Sequence, residues 1–378
     1  MSDVNQKPME NSGAGATLRS LYPVPDIDPS WTVPQNFDAT FDFDYGEGRN
    51  RTMQLYQKGK DKQWDALERI DWSLSLDSEN PMQMPDEANA VFHTPLWAKM
   101  SEQEKITLRH HQQSWMMSQF MQGEQAALLC AAKIVQQVPD LDSKFYASTQ
   151  VMDEARHVEA YKKYLSNLGL AYPMTKPLQE LVDQALRDSR WDMTYLAMQV
   201  VIEGLALAAF GNIRDMAKNP LTQQLNAYVM QDESRHVAFG RITLAEYYPH
   251  LSQAERDERE EFLVEACYLM RDRFEARELY EHLDLPADEI VNADNDTDFR
   301  RHFRSMLFAR IVPIVRDIGL WSDKIQKAYA DMGVLGYADT DYDALVENDN
   351  KRAEEFDELN ERAREDYVKS VAALGAAE

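Results

Sequence analysis

Cysteine is nearly absent: Cys130 and Cys267 are the only two in 378 residues. Each falls within a helical pattern, far from the other, which argues against a disulfide framework and fits reduced, buried thiols. Basic side chains are too few to balance the acids, 40 against 65, and the net charge is -25. A surface of that sign repels nucleic acid and anionic membranes, so neither is expected as a partner. Alternating stretches bounded by hairpin turns are missing, which argues against a sheet-based fold. No uninterrupted run of about eighteen apolar residues occurs, and the stretch MSDVNQKPMENSGAGATLRS lacks the apolar core of a signal peptide. A soluble, cytoplasmic protein is expected. No flavin or nicotinamide motif occurs either, so any redox chemistry here needs electrons from outside.

What is present is helical periodicity, and the expected fold class is all-α. Residues 1–50 are polar, proline-dotted and then aromatic-acidic, and read as an extended arm laid on the surface or on a second subunit. Residues 51–250 read as a helical bundle and 251–378 as a helical extension with an acidic tail. A first helix is expected from Arg51 to about Ile70, since Met53, Tyr56, Trp64, Leu67 and Ile70 recur at helical spacing. Ser101 with Glu104 forms a capping box and opens a helix to about Gln137. Pro139 ends it, and the next helix runs from about Asp142 to Leu168 and stops at Gly169. A shorter helix follows Pro177. Ser189 with Asp192 has the look of an N-cap for a helix to about Lys218, and Asn219-Pro220 precedes one to about Tyr248. Ser252 with Glu255 starts another to about Tyr280, followed by helical pieces at 298–318 and 322–331.

Two of these helices carry the same pentapeptide pattern: Asp153-Glu154-Ala155-Arg156-His157 and Asp232-Glu233-Ser234-Arg235-His236. Residues three apart share a helix face, so Glu154 points with His157 and Glu233 with His236. A lone glutamate lies thirty residues before each, Glu124 and Glu203, inside the apolar runs GEQAALLCAA and VVIEGLALAAF. One Glu-x-x-His alone is usually a surface ion pair. Two, each with a lone acid at the same interval, suggest a diverged duplication and a shared interior. Ionised acids in apolar stretches are costly to bury unless paired or metal-bound, and no Lys or Arg on those two helices is spaced to neutralise Glu124 or Glu203. Four carboxylates and two divalent cations would cancel. Four helices supplying Glu, Glu-x-x-His, Glu and Glu-x-x-His form the ligand set of a dinuclear centre inside a four-helix bundle.

Oxygen-rich ligands with one imidazole per metal suit iron or manganese. Two ferrous ions together can deliver the electrons that O2 reduction needs, so two Fe ions, or a Mn/Fe pair, with O2 as co-substrate are expected. Asp153, Arg156, Asp232 and Arg235 are expected to orient the ligands: an acid next to a metal-bound imidazole takes its second ring N–H, and the arginines brace the acids. Tyr161, one turn after His157, is a candidate redox tyrosine or an ordinary packed one. His93, His110, His111, His250, His282 and His302 fit no ligand pattern. The methionines 116, 117 and 121 read as core filler. Phe120, Ala127, Ala206, Phe210 and Val229, one turn from the ligands, are the expected cavity lining, suited to an apolar or aromatic substrate.

At these residues the sequence resembles the ferritin-like di-iron carboxylate superfamily over about residues 50–250. The order Glu, DExRH, Glu, DExRH is most similar to the O2-activating hydroxylase subunits of bacterial multicomponent monooxygenases. Less closely, it resembles the ribonucleotide reductase small subunit, whose tryptophan segment and relay acid resemble Trp64 and Asp232 and whose radical tyrosine has the offset of Tyr161. Arylamine N-oxygenases of the superfamily add a histidine one turn before the last Glu-x-x-His, where this chain has Val229. The resemblance implies Glu124, Glu154, His157, Glu203, Glu233 and His236 as metal ligands, with Tyr161 as the further catalytic candidate. It implies an oxygenase or oxidase acting on a small organic molecule by hydroxylation or N-oxygenation, an external reductase or ferredoxin, and a homodimer. The alternatives are a radical-generating subunit and a non-enzymatic iron-storage or peroxide-scavenging protein.

Overall fold

The computed structural model describes residues 50–375, together with Pro23, 33–35 and 37–43. Most of the expected N-terminal arm therefore lies outside the described residues. Its described part is tied to the end of a core hairpin: Thr40 N donates to Gln136 O at 2.8 Å and Leu141 N to Asp42 Oδ2 at 2.9 Å. No strand occurs among the described residues.

Helix α1 spans Asn50–Asp61, shorter than its periodicity suggested. Asp65 caps Leu67 N and starts a separate turn, Ala66–Arg69, which leaves Gln63 and Trp64 in a link between helices. The core is two long hairpins. The first joins α2, Glu102–Gln137, to α3, Leu141–Leu168. Ser101 and Glu104 cap α2 reciprocally as expected, and Gly169, at φ 76°, ends α3 in the left-handed region that glycine adopts without strain. Helix α4, Lys176–Arg187, follows. The second hairpin joins α5, Trp191–Met216, to α6, Pro220–Tyr247, with Asn219 capping Thr222 N.

Ser189 and Asp192 do not cap α5. Arg190 occupies that position without a side-chain cap, and Asp192 is committed to Arg259, whose Nε and Nη2 donate at 3.0 and 3.2 Å. By length and composition α5 could cross a membrane, yet 78% of its most apolar window is buried inside the fold. It is the core helix. From Leu196 to Ile202 it is π-helical, returning to α-helix at Glu203. Such π segments shift the register of the side chains after them and recur at functional sites. Gly240 of α6 permits the bulge: a Cβ there would lie 2.6 Å from Gln199 Cβ.

Helix α7, Gln253–Asp272, stops short of Tyr280. The chain turns through Arg273–Glu275, and Ala276 takes φ 55°, where an L side chain is strained. Next come α8, Arg277–His282; α9, Ala287–Asn295; and α10, Asp298–Leu307. A break separates α10 from α11, Ile311–Asp317. Pro313 lacks an N–H and its ring obstructs the preceding turn, so it fits the first turn of α11 but not the interior of one helix over 298–318. Helix α12, Asp323–Asp331, is capped by Ser322, and α13, Tyr342–Gly375, packs along α6 through bonds such as Gln224 Nε2 to Asn360 Oδ1 at 2.9 Å.

Candidate metal centre

The two hairpins bring the six expected ligands to one place. Glu124, Glu154, His157 and Glu233 offer atoms within 4.8 Å of one another, and so do Glu154, Glu203, Glu233 and His236. Glu154 and Glu233 belong to both groups. All six side chains are buried, from 0% to 5% exposed. His157 Nδ1 lies 3.0 Å from Glu233 Oε1, 3.1 Å from Glu124 Oε2 and 3.4 Å from Glu154 Oε2. His236 Nδ1 lies 3.0 Å from Glu154 Oε1 and 3.4 Å from Glu233 Oε2. One ring nitrogen carries at most one hydrogen, so it cannot bond three oxygens at once. Glu154 Oε2, Glu203 Oε2, both oxygens of Glu233 and His236 Nδ1 have no hydrogen-bond partner. Orphaned buried atoms of this kind are costly, and here they converge. The donor set fits two divalent cations.

The electrostatics agree. Burial, reinforced by the Glu233 charge, pushes the carboxyls of Glu124 and Glu203 well above the usual range. Burial also disfavours charge on Glu154, but His236 and His157 outweigh it and hold that carboxyl low. Burial works against both imidazolium ions; Asp232 and Glu124 outweigh it at His157, as Glu233 and Glu154 do at His236, and both titrate well above an ordinary histidine. Left to themselves, these groups balance charge with protons, and metal binding would displace them.

The Nε2 atoms face outward, and their partners are exchanged between hairpins. His157 Nε2 on α3 meets Asp232 Oδ2 on α6 at 3.0 Å, while His236 Nε2 on α6 meets Asp153 Oδ2 on α3 at 3.2 Å. Arg156 pairs with Asp153 and donates to Asp232 at 2.8 Å; Arg235 pairs with Asp232 and lies 3.4 Å from Asp153. Two acids and two guanidiniums thus form a buried, neutral ring beneath the imidazoles. Burial opposes the charge of Asp232, but Arg235, His157 and Arg156 hold its carboxyl well below the usual range. Trp64 Nε1 donates to Asp232 Oδ2 at 2.8 Å, and Gln63 Nε2 to Asp153 Oδ1 at 2.7 Å. The non-helical link after α1 is what places these two side chains over the ring.

Sequence reasoning did not find Gln63 or Gln150. Gln150, one turn before Glu154 and buried, donates through Nε2 to Glu203 Oε1 at 2.8 Å and to Glu154 Oε1 at 3.2 Å. Its i–4 spacing from Glu154 on α3 was the available signal. Lys133, the basic residue on α2 past Glu124, does not neutralise the carboxylates. Its ammonium donates to Ala185 O, Leu186 O and Asp188 O, closing the end of α4. Tyr161 is fully buried, and its hydroxyl meets Asn226 Oδ1 at 3.3 Å rather than any of the six. Its ring lies 6.0 Å from Phe120 and 5.9 Å from Phe210.

A cavity of about 20 Å³ adjoins Glu124, Glu203 and Glu233. Phe120, Ala127, Ala206 and Phe210 line it as expected, whereas Val229, fully buried, does not. Arg273 lines it too, unforeseen from the sequence. Of the remaining histidines, His93, His110 and His111 are engaged elsewhere, with Glu87 O, Ser78 O and the Tyr172 hydroxyl.

A family model described as P-aminobenzoate N-oxygenase AurF matches residues 47–319. Among solved structures, an R2-like ligand-binding oxidase mutant with an anaerobically reconstituted Mn/Fe cofactor aligns with a TM-score of 0.47 and 18% identity, covering 72% of this chain and 95% of that one. The R2-like ligand-binding oxidase from Sulfolobus acidocaldarius aligns with a TM-score of 0.42 and 20% identity, over 73% and 94% of the two chains. No curated protein matches the chain.

Proposed function

The chain belongs to the p-aminobenzoate N-oxygenase AurF family, and from that premise we propose that it is a di-iron oxygenase whose centre is built by Glu124, Glu154, His157, Glu203, Glu233 and His236. In this reading Glu124, Glu154, His157 and Glu233 would hold one metal, and Glu154, Glu203, Glu233 and His236 the other. The observation that carries it is the pair of four-residue groups sharing Glu154 and Glu233, with unpartnered oxygens turned into the common space. Iron is the metal the reading favours; a Mn/Fe pair would use the same donors.

The metal pair, when bound, supplies the electrons that activate O2 and the oxidising power that reaches the substrate. The protein's own groups do the rest. Asp232 and Asp153 hold the Nε2–H of each imidazole, so that the Nδ1 lone pair faces inward. Gln150 fixes the angle of Glu203. Phe120 and Phe210, packed edge to face at 4.7 Å, close the cavity from water. A cavity of about 20 Å³ has room for roughly one water-sized molecule, so an organic substrate enters only if these rings turn. Their faces and the small Ala127 and Ala206 suit an aromatic or apolar body, and a small aromatic amine taken to its N-oxygenated product is the reaction the family name favours. Val229 means that a third imidazole is absent from the position one turn before Glu233.

Electrons come from an external reductase or ferredoxin. Trp64, half-buried and bonded to Asp232, which in turn bonds His157, is the route by which they would reach the centre. The proposal includes a homodimer in the cytoplasm. The test is anaerobic iron titration: two irons per chain in the parent, with binding lost in Glu154→Ala and Glu233→Ala, supports the reading, and uptake indifferent to both substitutions refutes it.

A second reading, a radical-generating subunit, is favoured by the same Trp64–Asp232–His157 chain and by Tyr161, whose ring packs against the cavity residues Phe120 and Phe210. It predicts a stable tyrosyl signal by electron paramagnetic resonance after exposure to O2, abolished by Tyr161→Phe. A silent spectrum removes it.

A further inference from the structure

A second, larger space lies apart from the metal centre. This cavity, of about 80 Å³, is walled by the first half of α2, the end of α5 and the turn after α7, and none of the six candidate ligands lines it. Met116 is one turn before Phe120 on α2, and Ile213 one turn after Phe210 on α5. The two cavities are therefore neighbours along the same helices, with Phe120 and Phe210 lining the inner one alone.

The outer walls are mainly apolar and aromatic. Trp115 donates its indole N–H at 2.7 Å to Glu278, which is not part of the lining, and the rings of Phe274 and Phe303 pack edge to face at 5.8 Å. Charge on the walls is already matched, Arg109 by Asp86 at 2.8 Å and Arg300 by Asp294. Gln112 donates to Ala88 O at 3.1 Å, and Gln113 to Asn80 Oδ1 at 2.7 Å. Asn89 differs. It lines the cavity and is 3% exposed. Its Oδ1 accepts from Val91 N at 3.0 Å and caps the turn Ala90–His93, while its Nδ2 has no hydrogen-bond partner among the described residues.

Leaving a buried N–H donor unmade is costly, and here the cap holds the amide by its oxygen, so that the nitrogen stays a fixed donor. Apolar walls with a few placed polar groups are the usual composition of a small-molecule site. A volume of about 80 Å³ takes roughly five to eight water-sized spheres, the scale of one six-membered ring. Because both guanidiniums are paired, no net charge is left on the walls to draw in an ion, and the fitting guest is neutral.

We propose that this outer cavity is a second ligand site, which takes a small neutral aromatic molecule through a hydrogen-bond acceptor placed against Asn89 Nδ2. The assignment goes beyond the di-iron reading and does not depend on it. Its ring is held by the walls that Trp115, Met116, Ile213 and Phe274 build, and its acceptor atom by Asn89.

The test is calorimetric binding of pyridine and benzene to the full chain, iron-loaded and anaerobic. The two probes have one shape and differ by a single acceptor nitrogen. The parent should bind both saturably, each displacing the other. In Asn89→Leu the ratio of pyridine to benzene affinity should fall about 3- to 10-fold, the worth of one neutral hydrogen bond, with benzene binding kept. Asn89→Ser retains an oxygen for the cap and removes the amide, so it should show the same fall even if the leucine variant folds poorly. Absence of saturable binding in the parent overturns the assignment. So does a ratio that survives both substitutions, because pyridine then sits elsewhere, as on the metals. Iron per chain, measured on the same samples, separates the failures. Loss of iron binding in the parent refutes the di-iron reading, while full iron with no effect at Asn89 refutes only this inference.

Discussion

Asp232 on one hairpin meets His157 Nε2 on the other at 3.0 Å, and the same carboxylate takes bonds from Arg156 and Trp64. The reciprocal bond, His236 to Asp153, means that neither hairpin orients its own imidazole. The centre is complete only when α2–α3 and α5–α6 have docked.

Asp232→Asn keeps the shape of this side chain and removes its charge. Arg156 and Arg235 are then left sharing Asp153, a loss of pairing that costs roughly 3–5 kcal/mol in buried sites. Metal affinity should fall about 10- to 100-fold, as for other partners of metal-bound histidines. Competition with a coloured iron chelator measures it. Unchanged affinity would mean that the acid does not orient His157.

Gly240→Ala tests the π segment. The added Cβ would sit 2.6 Å from Gln199 Cβ, so α5 and α6 must part or the bulge must move. A cost of roughly 1–3 kcal/mol is expected, with weakened iron binding at the Glu203 side. Gly123→Ala is the contrast: its Cβ meets nothing within 4 Å, and Gly123 lines the cavity. That variant should gain up to about 1 kcal/mol of helix stability while narrowing the cavity. Denaturant melts of both variants check the pair, and equal effects would contradict the packing described.

His111 makes stability depend on acid. Its Nδ1 lies 2.6 Å from the Tyr172 hydroxyl. Burial, helped by His282 and His110, lowers its pKa to about 4, against roughly 6.5 for the unfolded residue. The unfolded chain therefore binds the proton first, and the stability His111 contributes is lost as pH falls from about 6.5 toward 4. His111→Gln should flatten the stability profile over that interval, as read by thermal melts at successive pH values. An unaltered slope would assign the acid sensitivity to other groups.

Much of this was legible in the chain. The intervals from Glu124 to Glu154 and from Glu203 to Glu233 placed all six candidate ligands, because helical periodicity converts spacing into facing. Ser101 and Gly169 marked helix ends correctly, since caps are local chemistry. Non-local competition was not legible. Asp192 is taken by Arg259 rather than by its own helix end, and α7 stops early at a turn that buries Arg273. The exchange of Asp153 and Asp232 between hairpins could not be read either: sequence placed each acid beside its own histidine, and docking decided otherwise. Val229 stands where arylamine N-oxygenases carry a histidine, yet the family match falls on that group. A ligand pattern therefore sets the class of centre more firmly than it sets the subclass.

Mössbauer spectroscopy of protein loaded with 57Fe and oxidised tests most directly whether the two groups that share Glu154 and Glu233 would hold one dinuclear centre. The account predicts two irons per chain as a spin-coupled pair in the parent and loss of the coupling in Glu233→Ala. Magnetically isolated irons in the parent, or coupling that persists in Glu233→Ala, would contradict it.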